Sequence, residues 1–154
     1  MDLEDLFRRH QRELFVYFLR IVRDPHSAEE LAQETIVRAC SAALRFRGSS
    51  SVRTWLFGIA HRVLLEASRA GLFERSGSVQ EDHPEEAKGL PLGERIDLER
   101  ALASLRPGDR ETLVMVDMLG FEPIEVAGMQ GISPDTFRVR LHRARGRFRE
   151  AYGR

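Results

Sequence analysis

The amino-acid sequence predicts an all-α protein: two small helical domains joined by a flexible linker, the C-terminal one containing a helix-turn-helix. Three observations support this fold class. Apolar residues recur at helical spacing in both halves of the chain; residues 72–93 contain glycine, serine and acidic residues with little hydrophobic periodicity; and residues 120–152 contain two helix signals separated by a tight turn. We therefore expect domains at residues 1–71 and 94–154, with the linker between them.

Length and composition are those of a soluble globular protein. The chain has 154 residues, of which 42% are hydrophobic and 31% charged, and no apolar run approaches the roughly 20 residues of a membrane span. No signal peptide is recognisable, so we expect a cytoplasmic protein without membrane insertion. The single Cys40 cannot form an internal disulfide, and we expect it to be a small core residue. Because the five histidines show no metal-ligand spacing with it, we expect no metal site and no cofactor.

The charge of the chain is balanced only on average. The whole sequence has 24 basic and 24 acidic residues, not counting histidine. Residues 1–70 contain 11 Arg and 9 acidic residues, residues 71–105 contain 4 basic and 8 acidic residues, and residues 106–154 contain 9 Arg and 7 acidic residues. An acidic middle therefore separates two mildly basic ends.

Three amphipathic helices are predicted in the first domain. The first begins at Leu3 and ends at Asp24-Pro25, the second opens with a capping box of Ser27 and Glu30, and the third runs from about Ser51 to Gly71. Residues expected to face inward are Leu6, Phe7, His10, Leu14, Phe18 and Ile21, then Ala28, Leu31, Ala32, Thr35, Ala39 and Ala43, then Val52, Trp55, Leu56, Ile59, Val63 and Ala67. Three such faces can form one small core.

Four more helices are predicted in the second domain. Apolar periodicity resumes with Ile96, Leu98, Leu102 and Leu105, breaks at Arg106-Pro107-Gly108, and continues through Leu113, Val114, Val116 and Leu119. The helix-turn-helix follows. Pro123 suits the first turn of a short helix that ends at Gln130, and Gly131 suits the left-handed residue that closes it. Ser133 can cap a last helix that begins at Pro134.

The last helix has one apolar side and one strongly basic side. Phe137, Leu141, Ala144, Phe148 and Ala151 form an apolar stripe, and residues 134–154 contain seven Arg against two acidic residues. Roughly opposite the stripe, at 100° per residue, lie Asp135, Arg138, Val139, His142, Arg143 and Gly146. A helix that reads a DNA major groove needs this layout, with flanking cations for phosphates. The alternative is a solvated basic helix.

Several segments together resemble the extracytoplasmic-function (ECF) sigma factors, which are two-domain initiation subunits of bacterial RNA polymerase. The resemblance covers nearly the whole chain, and its motifs occur in the order that the family has them. They are residues 32–39 (AQETIVRA), Phe46-Arg47-Gly48, residues 52–60 (VRTWLFGIA), residues 102–110, Glu125-Val126-Ala127 and residues 133–145.

The resemblance implies a role for each domain. The C-terminal domain would read the −35 promoter element through Asp135, Thr136, Arg138, Val139, Arg140, His142, Arg143 and Arg147. The N-terminal domain would hold the melted −10 element through Arg47, Gly48, Ser49, Ser50, Arg53 and Arg62. It would contact the clamp coiled coil of core polymerase through Glu30, Gln33, Glu34 and Arg38. The polymerase flap, promoter DNA and an anti-sigma factor are the other implied partners, and no catalytic residue is implied.

Some residues depart from the family pattern and bear on base preference. Asp135-Thr136-Phe137 replaces the common Gly-Thr-Val, and Val139 replaces a frequent serine. Asp135 could accept a hydrogen bond from a cytosine amino group and Val139 could touch a thymine methyl group, so base preference should differ from that of a typical member. Cys40 replaces a family tryptophan, and the basic cluster after the third helix is missing at residues 69–74.

Other functions remain open from the sequence. An autonomous helix-turn-helix repressor or activator would explain the last 50 or so residues. A sigma-like decoy that binds polymerase but acts poorly at promoters would fit the missing basic cluster. Trp55 is expected to pack in the core, Arg62 could form surface ion pairs instead of binding phosphate, and residues 81–86 could thread polymerase or only solvate the linker. No local signature of an enzyme is present.

Overall fold

A computed structural model describes residues 2–71 and 92–153, so the predicted linker lies almost wholly outside the described residues. All of the described secondary structure is helical, which confirms the fold class. The helices are α1 (Leu3–Val22), α2 (Pro25–Ala42), α3 (Val52–Arg69), α4 (Leu92–Ser104), α5 (Pro107–Leu113), α6 (Pro123–Gln130) and α7 (Pro134–Tyr152). A short 3₁₀ turn, Ala43–Arg45, follows α2, and a π-helical turn, Val114–Met118, follows α5.

Helix ends in the first part of the chain are fixed by short polar side chains. Asp2 caps α1 by accepting from the N–H of Glu4 at 3.1 Å, and Ser51 caps α3 by accepting from the N–H of Thr54 at 3.1 Å. The capping box of Ser27 and Glu30 is wrong. Asp24 caps α2 by accepting from the N–H of Ser27 at 3.1 Å, because Pro25 already occupies the first helical position.

Helices α1, α2 and α3 pack into the predicted core of the first unit. The Tyr17 ring meets the rings of Phe18 and Phe57 edge to face, with centroids 4.9 Å and 5.5 Å apart. Cys40 is exposed, so its assignment to the core is wrong: Ala39 takes the buried position of that turn. Phe7, which was expected to face inward, is 40% exposed.

Helices α4 to α7 form the second unit. Leu102, Leu105, Leu113 and Val114 are buried as expected, whereas Ile96, near the start of α4, is 46% exposed. The π-helical turn after α5 ends at Met118, and Gly120, with a φ of 78°, then turns the chain toward α6. Phe121, the next residue, is buried.

The two units share one continuous apolar core. Helix α3 packs on α6 and α1 packs on α5, and the rings of Phe57 and Phe121 lie 5.1 Å apart across the boundary. Amphipathic patterns predicted a core within each half, but they carry no information about how the halves pair. Among residues 2–71 and 92–153, no helix combines the length and apolar character that crossing a bilayer requires.

Candidate nucleic-acid interface

The helix-turn-helix forms with the ends that its turn residues predict. Gly131 is left-handed with φ 68° and closes α6. Ser133 then accepts from the N–H of Thr136 at 3.1 Å, so α7 begins with a satisfied cap. These contacts fix the direction of α7 relative to α6.

Helix α7 presents the predicted division of faces. Phe137, Leu141 and Ala144 are buried against α4, α5 and α6. All eight residues predicted to read the −35 element are exposed: Asp135, Thr136, Arg138, Val139, Arg140, His142, Arg143 and Arg147. The buried stripe therefore anchors the helix and leaves this polar face on the surface of the second unit.

Several α7 arginines already have partners within the protein. Arg147 pairs with Asp109 at 2.9 Å, Arg145 with Asp117 at 2.7 Å and Arg138 with Asp135 at 2.9 Å. The hydrogen bonds from Arg145 to Asp117 raise the pKa of that guanidinium above its usual value. Arg143 has no ion pair among the residues that the structure describes, which leaves its charge available to a phosphate.

One side of α7 borders a cleft between the two units. This interdomain cleft has a volume of about 620 Å³. It is lined from α3 by His61 and Leu65 and, among other residues, from α7 by Thr136, Val139, Arg140, Arg143 and Arg147. Asp135, Arg138 and His142 do not line it. The −35 candidates thus divide into a cleft side and an open side.

The −10 candidates do not form one cluster. Arg47, Gly48, Ser49 and Ser50 lie together in an exposed loop, in which Gly48 has φ 74°. The ring of Phe46 packs on that of half-buried Trp55, with centroids 4.9 Å apart, at the base of this loop. Arg62 lies elsewhere, in a shallow hollow that it shares with Arg38 and Arg45.

Arg53 points away from the loop and into the boundary between the units. Its guanidinium contacts the Glu13 carboxylate at 2.7 Å, donates to the Leu119 carbonyl oxygen at 2.6 Å and lies over the Phe121 ring at 4.1 Å from the centroid. Partial burial raises the pKa of Glu13, but hydrogen bonds from Arg53 and His10 outweigh it and hold that pKa below its usual value. In this structure Arg53 therefore serves an interdomain contact.

The predicted polymerase-binding strip lies on the outer side of α2. Glu30, Gln33 and Glu34 are exposed. Arg38 is partly exposed and pairs with Glu34 at 2.9 Å and with Glu66 of α3. The Glu66 and Glu34 carboxylates raise the pKa of the Arg38 guanidinium above its usual value. Gln33 also borders a groove of about 430 Å³ between α1 and α2, whose apolar walls include Phe7, Phe15 and Ile36.

Sequence reasoning missed a polar cluster buried between the units. Glu111 accepts hydrogen bonds from the Tyr17 hydroxyl at 2.6 Å and from Gln130 at 3.3 Å, and its carboxylate lies 2.7 Å from His61 Nδ1. Burial, and then the Glu111 carboxylate, raise the pKa of Tyr17 well above its usual value. Glu111 is a charged residue within the apolar run after Pro107, and this position could have indicated a buried polar contact. A sequence does not show which residues contact it. Within the described ranges, no group of three His, Cys, Asp or Glu side chains is arranged to hold a metal ion.

This fold and these surfaces define a two-unit, all-α helix-turn-helix protein. Residues 6–71 match sigma-70 region 2, and residues 95–148 match sigma-70 region 4. The RNA polymerase sigma factor YlaC of Bacillus subtilis is 30% identical, with 94% of this chain and 88% of the relative covered. CarQ of Myxococcus xanthus, also an RNA polymerase sigma factor, is 30% identical, with 97% and 88% covered. The chain belongs to the ECF sigma factors of the sigma-70 family.

Two solved structures share the fold over most of the chain. Sigma factor RpoE of Bartonella quintana, in complex with the anti-sigma factor NepR, superposes with a TM-score of 0.77 at 25% identity and covers 96% of this chain and 94% of its own. CnrH, in complex with the cytosolic domain of CnrY, superposes with a TM-score of 0.68 at 21% identity and covers 96% and 85%. The protein is thus an RNA polymerase sigma factor.

Proposed function

We propose that α7 reads a −35 element in the major groove, that the loop around Gly48 holds the melted −10 strand, and that α2 binds core polymerase. The domain with the −10 and polymerase surfaces comprises residues 1–71, and the −35 domain comprises residues 94–154. The observation that carries this proposal is the exposed polar face of α7, which is held on its buried stripe directly after a capped turn. Base-reading and phosphate-binding side chains need that combination of rigidity and exposure.

The −10 role rests on the exposed loop of residues 47–50. Gly48 permits close approach of a nucleotide backbone, the serine hydroxyls can bond base edges, and Arg47 supplies a cation. The base of the loop is rigid because Phe46 packs on Trp55. Arg53 and Arg62 are the proposed phosphate contacts. Arg53 reaches DNA only after it leaves Glu13 and the Leu119 carbonyl.

The polymerase role rests on the exposed strip of α2. Glu30, Gln33 and Glu34 present two carboxylates and an amide beside the guanidinium of Arg38, which pairs with Glu34 and Glu66. Such a strip complements a mixed, partly basic helical surface such as the clamp coiled coil of core polymerase. The adjacent groove with Phe7 adds apolar area that water would otherwise cover. The second unit is proposed to contact the polymerase flap.

An anti-sigma factor is the proposed regulatory partner. Of the two solved structures compared above, one is a complex with an anti-sigma factor and the other a complex with the cytosolic domain of CnrY. In this chain, an antagonist that touched both units would keep the −35 and −10 surfaces in one fixed arrangement.

Replacing Gln33 and Glu34 together with alanine is expected to abolish binding to core polymerase. Both side chains are exposed, so the double variant should fold with unchanged helicity, while the polymerase surface loses its central carboxylate and amide. Co-elution of each purified variant with core RNA polymerase measures the effect.

The matched control replaces Glu4 and Arg8, an exposed ion pair on α1, with alanine. This control also truncates two exposed polar side chains of the same unit, without changing the net charge, and should co-elute like the wild type. Co-elution of the Gln33→Ala/Glu34→Ala variant at the wild-type level would contradict the proposed α2 surface.

A further inference from the structure

A buried carboxylate lies among the contacts that join the two units of the protein. Glu111 of α5 is 4% exposed, and its partners come from three other helices. The Tyr17 hydroxyl of α1 donates at 2.6 Å, His61 Nδ1 of α3 lies at 2.7 Å, and Gln130 of α6 donates at 3.3 Å. Tyr17 and His61 belong to the first unit and Glu111 to the second. We name these four residues the Glu111 clasp.

The clasp is suited to a contact that opens and closes. A carboxylate in the closed boundary has lost its water and is stabilised there only by its hydrogen bonds. When the units separate, water solvates the same carboxylate, and the open state therefore carries no desolvation penalty for Glu111. Removing a donor from the first unit therefore weakens the closed state and leaves the open state nearly unchanged. Hydrogen bonds to a buried charge are also the strong ones.

Closure also occupies residues that the proposed function assigns to DNA. Thr136, Val139, Arg140, Arg143 and Arg147, five of the eight −35 candidates, line the interdomain cleft opposite His61 and Leu65. A volume of about 620 Å³ suits a small molecule. A DNA duplex, whose major groove alone is about 12 Å wide, does not fit there.

The same closure holds a −10 candidate. Arg53 of the first unit donates to the Leu119 carbonyl and lies over Phe121 of the second unit, and the neighbouring Thr54 donates to Glu125 at 2.6 Å. Thr54 and Glu125 lie on α3 and α6, the two helices that also contribute His61 and Gln130 to the clasp. Closure thus places five −35 candidates in the interdomain cleft and holds one −10 candidate, Arg53, at the boundary between the units.

We propose that the Glu111 clasp holds the free protein in an autoinhibited closed state, and that the two units must separate before α7 can bind duplex DNA. The inference rests on the proposed function in one respect, which is that α7 is the DNA-reading helix. It adds an internal inhibitory contact, which acts without any antagonist protein.

The test uses two variants that alter only the first unit, Tyr17→Phe and His61→Ala. Each removes one partner of Glu111, and neither changes the helix-turn-helix. Energy transfer between dyes on Cys40, which is exposed, and on a cysteine introduced by Ile124→Cys, at a position that is 68% exposed, reports the separation of the units. Affinity for a mixed-sequence DNA duplex, read by fluorescence anisotropy, reports access to α7.

Both variants should lower the energy transfer and raise the apparent DNA affinity about tenfold, because the competent open state becomes more populated. The matched control is Thr35→Val, which removes a buried hydroxyl that bonds the Leu31 carbonyl at 2.8 Å within α2. It should leave both readings at the wild-type level. Circular dichroism confirms that each variant is folded, and either folded variant suffices for the test.

Unchanged energy transfer in folded variants would overturn the clasp. Lower transfer without a gain in DNA affinity would overturn its autoinhibitory role. In that case, adding Arg143→Ala to the open variant separates the causes. If this change does not weaken DNA binding, α7 does not contact DNA and the proposed function has failed; if it does, only the inhibition has failed.

Discussion

Replacing Phe137 with alanine is expected to lower the free energy of unfolding by about 3–5 kcal/mol, the usual cost of such a change in a core. The side chain is fully buried in the first turns of α7, where it anchors the helix on the second unit. The cavity would also loosen α7 beside its capped turn, so duplex binding should be lost at protein concentrations that saturate the wild type. Urea denaturation and fluorescence anisotropy measure the two effects.

Val139→Ala is the matched control for this prediction. Val139 lies two residues further along α7 and is 49% exposed. Its truncation should change the unfolding free energy by no more than about 0.5 kcal/mol. Equal losses of stability in the two variants would mean that the buried and exposed faces of α7 have been assigned to the wrong sides.

Arg138→Ala is expected to relax base preference and to cost about 1–3 kcal/mol at the preferred −35 site. Arg138 is exposed near the start of α7, on the open side of the helix. Among residues 2–71 and 92–153 its only ion pair is with exposed Asp135, and this pair is easily exchanged for a base edge. Selection from a pool of randomised duplexes, followed by affinity measurements on the selected and scrambled sites, gives the loss for each sequence.

Arg143→Ala provides the contrasting result. Arg143 has no ion pair among the described residues, so its proposed partner is a phosphate. Its removal should weaken binding to all sequences alike and reduce the salt slope of the affinity by about 0.9. If Arg138→Ala and Arg143→Ala behaved identically, base-reading and phosphate-binding positions would not be separated on α7.

The structure refines the expected role of Arg147. From the sequence alone, neutralising either Arg140 or Arg147 should remove one phosphate contact. Arg147 pairs with the Asp109 carboxylate at 2.9 Å. Arg140 instead donates a hydrogen bond to the uncharged amide oxygen of Gln130 at 3.2 Å. Because the Asp109 carboxylate offsets the charge of Arg147, we expect a smaller change in salt slope for Arg147 than for Arg140.

The helix-turn-helix was predictable because its signals are local. Pro123, Gly131 and Ser133-Pro134 each fix a backbone conformation or a cap that depends only on near neighbours, and the structure places all of them as expected. The apolar stripe of α7 was predictable for the same reason, since helical periodicity alone assigns its faces.

Features that depend on distant residues were not predictable. The tyrosine at position 17 is far from Glu111 in sequence, and no periodicity relates them. Arg53 was assigned to the −10 loop because it follows that loop directly in sequence. In the structure its guanidinium instead bonds Glu13 and the Leu119 carbonyl at the boundary between the units. Cys40 was misplaced because α2 has small residues on several sides, so its inward face is poorly marked.

The most direct test of the account is transcription by purified core RNA polymerase from templates with a randomised upstream region, with and without this protein. We predict that the protein enables transcription and that the transcribed templates share two separated sequence blocks, at the −35 and −10 positions. Arg138→Ala should relax the upstream block alone. Transcription no higher than with core polymerase alone, from a pool that contains sites the protein binds, would contradict the account.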